Sequence, residues 1–124
     1  MKCEKAYTDC NSVLRPVRDT LDVISGKWKL PIIISIGAGN HRFTTIMKSV
    51  NGISPKVLAK ELKELESHGI VKREVTPDYP VSITYRLEEY AETLQPLISV
   101  MQEWGNNHRK KMTQETVRSK HADL

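Results

Sequence analysis

Residues 54–69, SPKVLAKELKELESHG, decide how the rest of the chain is read. Ser54 is a strong N-cap residue, and Pro55 suits the first helical position, where its missing N–H leaves no bond unmade. Leu58, Leu62 and Leu65 recur at the i, i+4, i+7 spacing that lines one side of a helix, while Lys56, Lys60, Lys63 and Ser67 fall on the other. Gly69 supplies the left-handed residue that ends a helix, and a β-like run begins at Ile70. One face of this helix is built for a core and the other for an anionic partner. A surface helix merely solvated by its lysines has the same pattern, so the neighbouring segments must decide.

Upstream, Phe43, Ile46, Met47 and Val50 mark a short amphipathic helix that ends at Asn51-Gly52, with only Ile53 before Ser54. A short helix, a tight connection and a second helix with a lysine-bearing face form the layout of a helix-turn-helix. Before it, residues 28–36, WKLPIIISI, are apolar on nearly every side, and periodicity alone admits a buried strand or a buried helix. Gly37 and Gly39 after the run, and Pro31 near its start, favour a helix. Residues 40–42 suit a short extended segment. Pro16 can open a first helix in which Val17, Leu21 and Ile24 share a face, closed by Ser25-Gly26.

Downstream, Val71, Arg73 and Val75 alternate, Thr76-Pro77-Asp78-Tyr79-Pro80 turns the chain, and Val81, Ile83, Tyr85 and Leu87 alternate with Ser82, Thr84 and Arg86. This predicts a β-hairpin placed as a wing. Beyond it Leu94, Leu97, Ile98, Met101 and Trp104 give a final helix, expected to run to about His108, a wide apolar stripe that one small domain can only partly cover. A second copy of the chain is the natural cover. The expected organisation is a flexible N-terminal arm over residues 1–12, one domain over 13–108 and a polar tail over 109–124 that frays. The fold class is mainly α with a small β-hairpin, a winged helix-turn-helix.

The 124 residues suffice for one domain with a core; 39% hydrophobic and 27% charged residues describe an ordinary globular chain. Lys and Arg number 19 against 15 Asp and Glu, and the resulting +4 favours polyanionic partners. No apolar run approaches the roughly 20 residues of a bilayer span, and the N-terminus lacks a signal-peptide core, so a cytoplasmic location is expected. Cys3 and Cys10 match neither a disulfide framework nor a zinc-finger spacing. His41, His68, His108 and His121 form no i, i+4 pair, and no phosphate loop, nucleophile elbow or carboxylate pair is present. No catalytic residue, metal site or cofactor is expected. Trp28 and Trp104, each within an apolar periodic run, are expected as packing anchors, and Glu61, Glu64 and Glu66 as partners of lysines on their own helix.

Taken in order, Gly26-Lys27-Trp28-Lys29, Arg42-Phe43, Gly52-Ile53-Ser54, the run from Leu58 to Glu66 with Gly69, Arg73-Glu74-Val75, Pro80-Val81, Tyr85 and Leu87 resemble the HxlR-type branch of winged-helix bacterial transcription regulators, related in architecture to the MarR group. The resemblance covers residues 15–108. It implies a homodimer on double-stranded DNA at a pseudo-palindromic operator, with the second helix of the helix-turn-helix in the major groove, the wing on the backbone or minor groove, and terminal helices forming the dimer. The sequence departs from the family at Arg15-Pro16, where relatives often carry a Cys-Pro pair whose cysteine senses oxidants in some of them. It departs again at Glu88-Glu89-Tyr90-Ala91, in place of the usual Thr cap and Gly, so the last helix is expected to start differently.

The expected DNA contacts are therefore Arg42, Ser54, Pro55, Lys56, Val57, Lys60, Lys63, Arg73, Ser82 and Thr84, and the expected dimer interface is Leu94, Leu97, Ile98, Met101 and Trp104. Lys56 and Lys60 near a helix N-terminus suit phosphates, which also gain from free N–H groups and the helix dipole. Two other readings remain: a winged-helix module that binds another protein through the same helices, and a thiol-based sensor using Cys3 or Cys10.

Overall fold

The computed structural model describes residues 10–122. In chain order these form α1 (Cys10–Ile24), α2 (Lys29–Gly37), α3 (Phe43–Ser49), α4 (Pro55–Ser67), β1 (Val71–Thr76), β2 (Ser82–Leu87), a 3-10 segment (Glu89–Leu94) and α5 (Gln95–Ala122). The chain divides after Glu88 into two compact units.

The first unit has its core where α2, α3 and α4 meet. Ile32 and Ile36 of α2, Ile46 of α3, and Leu58, Leu62 and Leu65 of α4 are all essentially inaccessible to solvent. The ambiguous run at residues 28–36 is helical, and it is not buried all round, since Ile34 is 54% exposed. The α3–α4 turn needs Gly52 at φ +86°, which is open to glycine at no steric cost, and a Cβ there would lie 3.9 Å from the rim of Trp28. Half-buried Trp28 thus backs the turn. At the far end of α4, Gly69 takes φ +74° and Ile70 N–H donates to the Leu65 carbonyl at 3.0 Å, a Schellman closure that turns the chain directly into β1.

β1 and β2 pair antiparallel in the register Val71↔Leu87, Arg73↔Tyr85, Val75↔Ile83 on one face and Lys72↔Arg86, Glu74↔Thr84, Thr76↔Ser82 on the other. Coverage of the apolar face falls from base to tip: Val71 is 2% exposed and Val75 49%. The wing is fastened at two points. Glu88 N–H donates to the Ile70 carbonyl at 2.9 Å, and Tyr85 N–H donates to the His41 carbonyl at 2.7 Å, so the extended segment expected at residues 40–42 docks on β2. The His41 ring adds a hydrogen bond between Nδ1 and the Tyr85 carbonyl at 3.1 Å.

Three boundaries differ from the sequence reading. Helix α1 begins at Cys10, so residues 10–12 of the expected loose arm are helical, and residues 1–9 lie outside the described residues. Pro16 lies inside α1 and does not open it; Thr20 Oγ1 donates to its carbonyl at 2.9 Å. Residues 109–122, expected to fray, continue α5 to 28 residues. That stretch is polar but free of Gly and Pro, and its Lys, Arg, Gln, Glu and Met residues are good helix formers, so polarity was the wrong criterion for stopping the helix. The second unit does start differently, as the departure at residues 88–91 suggested. A 3-10 segment, with Thr93 Oγ1 donating to the Tyr90 carbonyl at 2.6 Å, precedes α5, and Pro96 sits in the first turn of α5.

Candidate nucleic-acid interface

Helix α4 starts as its sequence dictates: Ser54 Oγ accepts from Val57 N–H at 3.2 Å and Pro55 takes the first position. With Leu58, Leu62 and Leu65 fixed in the core, the pitch of the helix puts Lys56, Lys60 and Lys63 within about 60° of one another on the outer side. All three are exposed. Val57 is half-buried beside them.

The two flanks of α4 meet different elements. On the wing side, Ala59, Leu62, Lys63 and Glu66 line a shallow cleft of about 340 Å³ with Arg73 of β1 and Tyr85 of β2. Arg73 forms no ion pair among the described residues and shares this cleft with Lys63. The other wing cations are engaged: Lys72 and Arg86 lie 3.1 and 3.4 Å from Glu74 on the opposite face of the hairpin. Ser82 and Thr84, half-buried, belong to that opposite face and are not brought together with Arg73. Arg42 is exposed at the N-cap of α3, its backbone N–H donating to Thr45 Oγ1 at 3.3 Å.

On the α2 side the structure corrects one expectation. Glu61 and Glu64 are held chiefly by Lys29 of α2, not by lysines of their own helix. The Lys29 ammonium, 11% exposed, donates to Glu61 Oε2 at 2.7 Å and to Glu64 Oε2 at 2.6 Å. These hydrogen bonds, to Glu61 first and then Glu64, hold the Lys29 pKa above its usual range despite burial. The bond from Lys29 likewise holds the Glu64 carboxyl below its usual value. Lys60, the same-helix candidate, stands 4.0 Å from Glu64 Oε1, beyond hydrogen-bond distance. Lys29 was visible in sequence only as a lone cation in an apolar run, a placement that calls for a buried partner.

A second correction concerns Trp104. It is 66% exposed and stacks on His108 with ring centroids 4.9 Å apart, so it is no core anchor within the chain. Of the expected interface residues, Leu94, Leu97 and Ile98 are half-buried and Met101 is 42% exposed. Val100, not singled out from the sequence, adds to the uncovered surface at 62% exposure. Among the described residues no cluster of His, Cys, Asp and Glu could hold a metal ion, and no helix is long and apolar enough to cross a membrane.

A short helix, a glycine turn, a capped helix with a basic outer face and a hairpin fastened beside it define a winged helix-turn-helix protein. The chain belongs to the HxlR-like helix-turn-helix family, whose model matches residues 23–113, and is a transcriptional regulator of that architecture. It is 40% identical over 94 residues to the uncharacterized HTH-type transcriptional regulator YybR of Bacillus subtilis (strain 168), covering 76% of this chain and 75% of that one. Among solved structures it resembles the redox regulator HypR in its reduced form, with a TM-score of 0.72 at 39% identity over 78% of this chain and 96% of that one. It also resembles a MarR-family regulator from Enterococcus faecalis V583, with a TM-score of 0.73 at 28% identity over 82% and 93% of the two chains.

Proposed function

We propose that the protein is a cytoplasmic regulator that binds double-stranded DNA as a homodimer and represses transcription by occluding a promoter at a pseudo-palindromic operator. The observation that carries this reading is the outer face of α4, where Lys56, Lys60 and Lys63 stand exposed on a helix whose opposite side is locked in the core. In a helix-turn-helix this is the face that enters the major groove. Ser54, Pro55, Lys56, Val57 and Lys60 lie toward the N-terminal half of α4 and reach base edges or the nearest phosphates. Lys63 and Arg73 meet the backbone from the two sides of their shared cleft, while Arg42, Ser82 and Thr84 serve as flanking contacts. A dimer brings two such helices to two half-sites, and the uncovered stripe of Val100, Met101 and Trp104, continued by Leu94, Leu97 and Ile98, supports α5 as its seam.

The test is footprinting of the purified protein on the region upstream of its own gene, followed by titration of the protected duplex at rising salt. DNA binding through phosphates weakens steeply with salt. Affinity that is flat in salt, with no protected site, transfers the same helices to a protein partner.

HypR is a redox regulator by name, which makes oxidant sensing the second reading to weigh. Here the position expected for a sensing thiol holds Arg15, exposed on α1. Cys3 lies outside the described residues. We expect no oxidant response from Cys3 or Cys10.

A further inference from the structure

Lys29 belongs to none of the DNA-contacting surfaces, yet it is the buried cation of the first unit among the described residues, and its two partners are both on α4. Burying an ammonium is costly, and a packed apolar side chain in its place is often no less stable, so stability alone is a weak reason for it. Its placement suggests another. Without Lys29, α4 would carry Glu61 and Glu64 as uncompensated carboxylates alongside its lysine face. Glu64 is shared between two cations: Oε2 is bound by Lys29 at 2.6 Å, whereas Oε1 stands 4.0 Å from Lys60. Lys60 is 71% exposed and holds no hydrogen bond to that carboxylate.

Resting on the reading of α4 as the DNA-binding helix, we propose that Lys29 is a positioning residue for recognition: by holding Glu64 it keeps Lys60 free for the duplex and offsets one of the two negative charges on the α2 flank of α4. Glu61 anchors the lysine from the more buried side and Glu64 is the group controlled. The three residues form a relay from α2 to the lysine face, in which Lys29 acts on DNA only through Lys60 and Glu64. With Lys29 removed, Glu64 turns to Lys60, its i, i+4 neighbour, and the net positive charge of the face falls by one.

The experiment compares four proteins on the footprinted duplex and on a scrambled duplex of equal length, with thermal melting and circular dichroism to confirm folding. Lys29→Met combined with Glu61→Gln avoids leaving a buried carboxylate unpaired; it is expected to bind the footprinted duplex about five- to tenfold more weakly than the unmodified protein. Adding Glu64→Gln to that variant is expected to restore most of the loss, which a purely structural role for Lys29 would not allow. Glu64→Gln alone, a half-exposed change that folds without difficulty, is expected to shift affinity by less than about twofold, because Lys29 already holds that carboxylate off Lys60. Undiminished binding by the Lys29 variant, no recovery on adding Glu64→Gln, or a gain of about tenfold from Glu64→Gln alone would each overturn the assignment. Absence of salt-dependent binding by the unmodified protein would instead overturn the DNA reading on which the assignment rests.

Discussion

Helices α4 and α5 are both amphipathic, and their sequences announce it in the same way, yet the structure treats their apolar faces differently. The leucines of α4 are fully enclosed within its own unit, its cap is closed, and its flanks are met by Lys29 on one side and the wing cleft on the other. Little of α4 except the lysine face is left over. On α5, Val100, Met101 and Trp104 remain 62, 42 and 66% exposed, and the helix extends well past them. A helix whose apolar face is satisfied offers its polar face to a partner; a helix whose apolar face is unsatisfied offers that face. The first condition suits recognition of a polyanion and the second suits self-association.

The largest effect that would undo this contrast is on α4. Leu62→Ala removes side-chain volume from a site 1% exposed and should cost about 2–5 kcal/mol of unfolding free energy in a denaturant titration. A loss below about 1 kcal/mol would mean that the α4 core is looser than its burial indicates. On α5 the corresponding change should act on assembly and not on folding. Ile98→Asp or Met101→Lys should leave a folded protein that sediments as a monomer at micromolar concentration; a folded dimer in either variant places the interface elsewhere.

A smaller effect belongs to the α2 flank of α4. The Glu64 carboxyl is held below its ordinary value of 4.5, so its contribution to stability is present above that pH and is lost as pH falls through the lower folded value. Lys29 is held above its ordinary 10.5, so its contribution is complete below that pH and is lost as pH rises through the higher folded value. The melting temperature of the unmodified protein should therefore exceed that of Glu64→Gln between these limits and converge on it in acid. A difference that persists unchanged well below pH 4 would assign the stabilisation to something other than the Lys29 ion pair. The smallest expected effect is nil: Cys3→Ser with Cys10→Ser should leave DNA affinity and its response to diamide as they were. Disappearance of a large oxidant response in that double variant would make the thiols part of the switch.

The elements legible in the sequence were those with local signals. Ser54-Pro55 and Gly69 marked the two ends of α4, leucine spacing its buried face, and alternation the hairpin. What the sequence did not show was non-local or lacked a stop signal. The i, i+4 spacing of Lys60 and Glu64 pointed to a pair within the helix, but a buried cation 32 residues from Glu61 captured both carboxylates because it is better desolvated and nearer to them. The His41 bridge to Tyr85 has no signature in either segment. Residues 109–122 read as tail because they are polar, although polarity without Gly or Pro does not end a helix. The exposed lysine face of α4, the candidate site, followed from periodicity once the core face was known. Whether Ser82 and Thr84 act with Arg73 depended on which face of the hairpin each occupies, and the register puts them on opposite ones.

Everything proposed for the DNA interface depends on a division of labour in which α4 reads base edges while the wing holds the backbone. One titration decides it. Lys60→Ala and Arg73→Ala are each titrated on the footprinted duplex and on its scrambled counterpart at several salt concentrations. Lys60→Ala should cost about 1–3 kcal/mol on the true site and much less on the scrambled duplex, since a lysine in the major groove donates to guanine O6 or N7. Arg73→Ala should weaken both duplexes by similar factors and lower the slope of log affinity against log salt by about one unit for each phosphate that the arginine no longer neutralises. Equal losses on both duplexes for Lys60→Ala would contradict this division, reducing Lys60 to a backbone contact and passing the reading role to Pro55, Lys56 or Val57.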